Sequence, residues 1–173
     1  MENAMNALAA QQLNRIKVLC DGLGLKYLEL PDFVMGVGMV VGFGETEYAL
    51  LSIMAGQENR IMVSGGIVKD INHDDINHDR LAALEAANSF TRDNTFFPVY
   101  FHDAEAGWSL ILHQTHLLEA MLAAPDYFSL IVRTVPQMVT EYRRQLAEKG
   151  TVIGTAWRWT PEDHNLLLIK SIL

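Results

Sequence analysis

The chain holds 173 residues, half of them hydrophobic, and carries a formal net charge of −8. That length suits one domain with a sizeable core, and that apolar content excludes an intrinsically disordered chain. The acidic balance repels phosphate backbones, so nucleic acid is not an expected partner.

Residues 4–24 read as an amphipathic helix. Met5, Leu8, Gln12, Ile16, Leu19 and Leu23 recur at three- and four-residue steps, and Gly22 and Gly24 close it. The single cysteine, Cys20, lies late in this helix with no activating base nearby. It cannot form an internal disulfide, fits a reducing compartment and reads as a small buried apolar group. Met1-Glu2-Asn3 lacks the regions of a signal peptide. No apolar run approaches the roughly 20 residues that span a bilayer. A soluble, cytoplasmic protein with no membrane partner is expected.

From Phe33 to Phe43 the period changes to two. Phe33, Met35, Val37, Met39, Val41 and Phe43 form one apolar strand face, and Val34, Gly36, Gly38, Val40 and Gly42 form the other. A two-residue turn at Gly44-Glu45 would return the chain through Thr46–Met54, and Arg60–Val68 would add a third strand. In that register Gly36 lies beside Ile53, and Gly38 beside Leu51. Interior strand glycines cost roughly 0.5–1 kcal/mol each against alanine. Two readings of them stand. The glycines let the strand coil around a helix, or Gly36, Gly38, Val40, Gly42, Leu51 and Ile53 form a surface for a partner.

Asp70–Asp79 is a doubled pentapeptide, Asp-Ile-Asn-His-Asp twice over. Its primary reading is an Asx-rich turn that caps a helix over residues 80–91. The alternative is a metal-dependent enzyme or sensor using His73, His78, Asp70, Asp74, Asp75 and Asp79, although the spacing misses the EF-hand pattern. A hairpin follows, Phe96–Phe101 paired with Trp108–His113, with Pro98 marking an edge strand. A turn at Asp103–Ala106 would set Phe101 opposite Trp108. His113, His116 and Glu119 span an expected strand-to-helix junction and read as surface residues rather than ligands. His116–Ala123 reads as a helical turn or two.

A long helix is expected over Pro125–Lys149, with Tyr127, Ile131, Val135, Met138, Tyr142 and Leu146 on one face, a kink at Pro136 and a stop at Gly150. Arg143, Arg144 and Lys149 would offset the dipole at its end. Residues 151–173 read as an apolar extension, a strand over Thr151–Trp159 and then a helix opened by Thr160-Pro161-Glu162-Asp163. Its Leu166, Leu167, Leu168, Ile169, Ile172 and Leu173 should dock on residues 1–150 or on a partner.

No chemistry stands out from this series. The glycines of Gly36–Gly44 lie inside a strand and before another strand, not between a strand and a helix as a dinucleotide fingerprint requires. There is no P-loop and no nucleophile elbow. No catalytic residue, metal ligand or cofactor is assigned, and a non-enzymatic protein is expected.

The order helix, three-strand antiparallel meander, helix, β-hairpin, long helix is an α+β fold. With Asn88-Ser89-Phe90-Thr91-Arg92 leading to Phe97-Pro98-Val99-Tyr100, and with Ile131-Val132-Arg133-Thr134-Val135, residues 10–149 resemble the YbjN family. That family is similar in fold to the secretion chaperones of type III systems. The resemblance implies a small acidic homodimer that binds polypeptide segments, with no catalytic residues to carry over. The expected function is therefore a protein-binding module, chaperone-like or regulatory. It would bury an apolar segment of a client or second subunit against its sheet.

Overall fold

A computed structural model of the chain describes residues 2–30, 36–43, 48–69, 76–94, 96–104 and 107–148. The expected extension over 151–173 and most of the doubled pentapeptide lie outside them. The elements run α1 (Glu2–Gly22), β1 (Lys26–Leu30), β2 (Gly36–Gly42), β3 (Tyr48–Met54), β4 (Arg60–Lys69), α2 (Ile76–Asp93), β5 (Val99–Ala104), β6 (Gly107–Leu117), α3 (Leu118–Ala123) and α4 (Pro125–Glu148). All six strands form one antiparallel sheet in the order β1-β2-β3-β4-β6-β5. The fold is the expected α+β arrangement, and its meander carries one further strand, β1, at the start.

Local chemistry accounts for each boundary. Gly24 adopts φ +65, so the Leu25 N–H reaches the Cys20 carbonyl and the Gly24 N–H reaches Asp21, which closes α1. The stop is therefore Gly24, with Gly22 still helical. The buried stripe of α1 is Ala9, Leu13, Ile16 and Cys20, whereas Leu8 is 44% exposed. Apolar residues occur on two adjacent stripes of this helix, and only packing selects between them.

The short β1 carries two charges, Lys26 and Glu29, three residues apart and so on opposite faces. Its Glu29 pairs across strands with Met39 and bonds the Lys17 ammonium at 2.8 Å, a charge on the helix-facing side of an edge strand. The other edge is β5, as Pro98 implied. The second copy of the pentapeptide does not stay in the loop. The backbone of Ile76–Asp79 already belongs to α2.

Every helix buries its apolar stripe in one core on one face of the sheet. Met39, Val41, Leu51, Ile53, Ile61, Val63, Leu110 and Leu112 meet Ile16, Phe90, Leu118, Phe128, Val132 and Val135 there. The expected stripe of α4 is confirmed: Ile131, Val135, Tyr142 and Leu146 are buried, and Tyr127 and Met138 pack at its margin. The helix runs on through a buried Pro136. Gly65 allows α4 to approach β4 closely, since a Cβ there would lie 2.7 Å from Val139 Cγ2 and 2.9 Å from Val135 Cγ1.

Candidate functional site

The β2–β3 register differs by one residue from the expected one. Gly36 pairs with Met54, Gly38 with Ser52, Val40 with Leu50 and Gly42 with Tyr48. The side-chain period in a strand is two, so a one-residue slip exchanges the faces of β3. Leu51 and Ile53 therefore belong to the helix-facing core beside Met39 and Val37, not to the glycine face. Ser52 and Leu50 take their places. Of the six residues expected to meet a partner, Gly36, Gly38, Val40 and Gly42 share the outer face.

That outer face is built in rows across the sheet. One row is Leu30, Gly38, Ser52, Met62 and Thr115. The next is Leu28, Val40, Leu50, Ser64 and His113. Small residues, Gly38, Gly42, Ser52, Ser64 and Gly66, surround Val40 and Leu50, leaving a smooth apolar floor with no charged group at its centre. Nothing among the described helices packs on it, yet Val40 is 1% exposed, Leu50 and Ser52 0% and Ser64 2%. The Ser52 hydroxyl oxygen is buried with no hydrogen-bond partner among the described residues. The margin is open: Tyr100 is 46% exposed and Leu117 60%.

Two features bound this floor. At one end β3 and β4 splay apart, since their ladder holds only Leu50–Ser64, Leu51–Val63 and Ser52–Met62. Tyr48 fills the gap. Arg143 of α4 donates from Nε to the Ile67 carbonyl at 2.7 Å and from Nη2 to the Gly66 carbonyl at 2.9 Å. These carbonyls lie where the ladder has ended. Burial lowers the Arg143 pKa and raises that of Tyr48 well above the usual phenol range. Along the β6 margin, the His113 ring stacks on Tyr100 with centroids 4.0 Å apart.

The two histidines cannot share a ligand. Strand β6 runs on to Leu117, and residues three apart in a strand point to opposite faces. His113 lies on the outer face. His116 lies on the helix face, where the Tyr127 hydroxyl and its Nδ1 are 3.2 Å apart. Its Nε2 and the Gln114 Oε1 are buried without partners among the described residues. Burial lowers the pKa of both histidines. Glu119 instead forms an ion pair with Arg15, at 2.5 and 3.0 Å. Burial pushes the Cys20 thiol up to about 12, which leaves it unreactive as a nucleophile. Among the described residues no three His, Cys, Asp or Glu side chains converge. Of the alternative metal set, Asp70, His73, Asp74 and Asp75 lie outside the described residues. His78 and Asp79 contribute only helical backbone to the description.

The family-like residues prove structural. Phe90 stacks on Tyr142 with centroids 4.3 Å apart. The Thr91 hydroxyl both donates to the Val99 carbonyl and accepts from the Val99 N–H, each at 3.0 Å, so α2 is pinned to the hairpin. The hairpin itself turns one rung tighter than expected: Ala104 pairs with Gly107, and Asp103, not Phe101, lies opposite Trp108. A separate apolar hollow of about 550 Å³ lies between the end of α1 and the start of α4, lined by Val18, Leu19, Leu23, Leu122 and Pro125 under Arg15. No signal in the sequence marked it, because its walls come from α1 and, a hundred residues on, from α3 and α4.

Two solved structures share this fold. The crystal structure of an uncharacterized protein from Methanothermobacter thermautotrophicus matches with a TM-score of 0.57 at 15% identity, covering 80% of this chain and 98% of that one. The crystal structure of YbjN, a putative transcription regulator from E. coli, matches with a TM-score of 0.56 at 11% identity, covering 78% and 90%. At such identities the likeness is one of fold. No family model and no curated protein matches the sequence. No helix among the described residues is long and apolar enough to cross a membrane.

Proposed function

We propose that this chain is a non-enzymatic, cytoplasmic polypeptide-binding module, chaperone-like or regulatory, that forms a homodimer and takes an apolar segment onto the outer face of its sheet. The carrying observation is that face itself. Its centre is apolar, uncharged and built from side chains so small that another backbone can lie close to the sheet. Such a floor gains area without demanding a particular side-chain pattern, which suits a segment recognised by apolarity rather than by sequence. The resemblance to YbjN, a putative transcription regulator, and to secretion chaperones supports the regulatory or chaperone-like reading.

The test uses Gly38→Trp in the full chain, read by anisotropy of labelled apolar peptides and by light scattering at concentrations on the order of tens of micromolar. The variant should lose peptide binding or dimer formation while circular dichroism stays that of the parent. Unchanged binding and assembly, or a change in stability alone, refutes the reading.

A further inference from the structure

Helix α1 carries two apolar stripes, and the sheet uses only one. Ala9, Leu13, Ile16 and Cys20 are buried in the core. Leu8, Leu19 and Leu23, which the sequence spacing placed on the buried face, lie one step around the helix. Leu8 is left exposed. Leu19 and Leu23 are half-buried and form one wall of the 550 Å³ hollow beside α3 and the start of α4. Leu122 and Pro125 form the other wall. Gly22 adds open space between them, since a Cβ there would meet nothing within 4 Å.

Among the described residues, the one charged side chain lining this hollow is Arg15. It already holds a carboxylate. Its Nη1 and Nη2 donate to Oε1 and Oε2 of Glu119 at 2.5 and 3.0 Å, and Nη1 also donates to Gln12 Oε1 at 2.8 Å. Two parallel N–H donors on two carboxylate oxygens are the arrangement by which a guanidinium recognises a carboxylate. The pair is open to water, with Glu119 71% and Arg15 43% exposed. An ion pair so exposed contributes little, so an incoming carboxylate can take the place of Glu119 at small cost while Glu119 returns to solvent.

We infer that the hollow is a binding site for a free single-chain anionic amphiphile. Its carboxylate takes the Glu119 place on Arg15, and its alkyl tail lies against Leu19, Leu23, Leu122 and Pro125. The volume falls within the range of small-ligand pockets, and an apolar lining with one orienting polar group is their usual composition. Charge decides the class of ligand. A neutral or cationic amphiphile would leave Arg15 with Glu119 and gain from the walls alone. On a chain of net charge −8, the Arg15 fork supplies the local positive charge that an anionic head needs. The site lies on the helix side of the sheet and is independent of the polypeptide-binding reading of the outer face.

The experiment titrates the full chain with monomeric decanoate by isothermal calorimetry, with decanol and decyltrimethylammonium as controls. Decanoate should bind one to one, at least about threefold more tightly than decanol. Each methylene added to the carboxylate should tighten binding by up to about fourfold. Glu119→Gln removes the internal competitor and should tighten decanoate binding about two- to fivefold, a gain that a merely structural ion pair would not give. Arg15→Met keeps the stem and should abolish the preference over decanol. Val18, on the α1 wall, is 70% exposed, so Val18→Asp should keep the melting transition and lose decanoate. No binding, equal affinity for decanoate and decanol, or no gain in Glu119→Gln each overturns the inference. Decanoate binding that survives Val18→Asp but is lost in Gly38→Trp seats the amphiphile on the outer face and overturns it too. Binding to anionic phospholipid vesicles without binding to monomeric decanoate identifies a membrane surface instead, with the same consequence. Failure of the polypeptide-binding reading is seen separately, as unchanged peptide binding in Gly38→Trp.

Discussion

The two faces of this sheet are both dry at their centres and differently made. The helix face closes with large side chains, Met39, Leu51, Ile53 and Ile61, interdigitated with four helices. The outer face closes over Gly38, Ser52 and Ser64, with Val40, Leu50, Tyr48 and Ile111 as large buried groups among them. A face of the first kind stores stability, because each large side chain is held by many close contacts. A face of the second kind holds its cover less tightly and with less shape dependence. That is the property an exchangeable polypeptide site needs.

The largest expected effects test this contrast directly. Leu51→Ala should cost about 4 kcal/mol, as a buried leucine loses both transfer energy and packing. Leu50→Ala, one residue away on the other face, should cost about 2–3 kcal/mol if the outer face is covered, and below about 1 kcal/mol if it is bare. Urea unfolding with linear extrapolation measures both. Near-equal costs would erase the distinction between the faces; a negligible cost for Leu50→Ala would deny the cover.

The glycines sharpen it next. A Cβ on Gly36 would stand 2.2 Å from the Ile53 carbonyl oxygen, a backbone atom that cannot rotate away. Gly36→Ala should cost about 3 kcal/mol through displacement of β2. At Gly65 the obstacles are the Val135 and Val139 side chains, which can shift, so Gly65→Ala should cost about 1–2 kcal/mol. Reversal of that order would mean that α4, not β3, sets the tighter approach.

How much of this was legible in the sequence depends on what each element needed to be seen. The period-two run from Val37 to Phe43 and the long stripe of α4 announced themselves, because single-face burial imposes a period. The strand Lys26–Leu30 did not, since Lys26 and Glu29 break its apolar pattern at an edge. The glycine face was legible as a face. Its neighbours were not, because the expected two-residue turn at Gly44-Glu45 fixed a register one residue away from the observed one, and that residue moves Leu51 and Ile53 to the other side. Nor could spacing reveal that β6 extends to Leu117 and so separates His113 from His116. The Arg143 contact joins residues 76 positions apart, and the sequence pattern offered only a helix-end cation.

That contact supplies the next prediction. Arg143→Met keeps the aliphatic stem and removes both hydrogen bonds at the β3–β4 splay. Leaving the Gly66 and Ile67 carbonyls without these donors should cost about 1–3 kcal/mol. Unchanged stability in urea unfolding would mean that the two carbonyls do not depend on Arg143 for their donors.

The smallest effect separates the faces by pH. Burial lowers the folded-state pKa of His113, on the outer face, and of His116, on the helix face, below the ordinary 6.5. The unfolded chain then binds more protons than the folded one as pH falls through 6.5 toward the folded values. Each histidine's contribution is fully present above that window and declines within it, so stability should fall on acidification rather than rise. His116→Gln should flatten this slope in urea unfolding between pH 8 and pH 5.5 while leaving the share that belongs to His113. Tyr127 loses its imidazole partner in that variant, which lowers stability at every pH without tilting the profile. His113→Gln should instead remove the share that belongs to the outer face. If neither substitution changes the slope, the carboxylates govern acid stability and the histidines report nothing about the two faces.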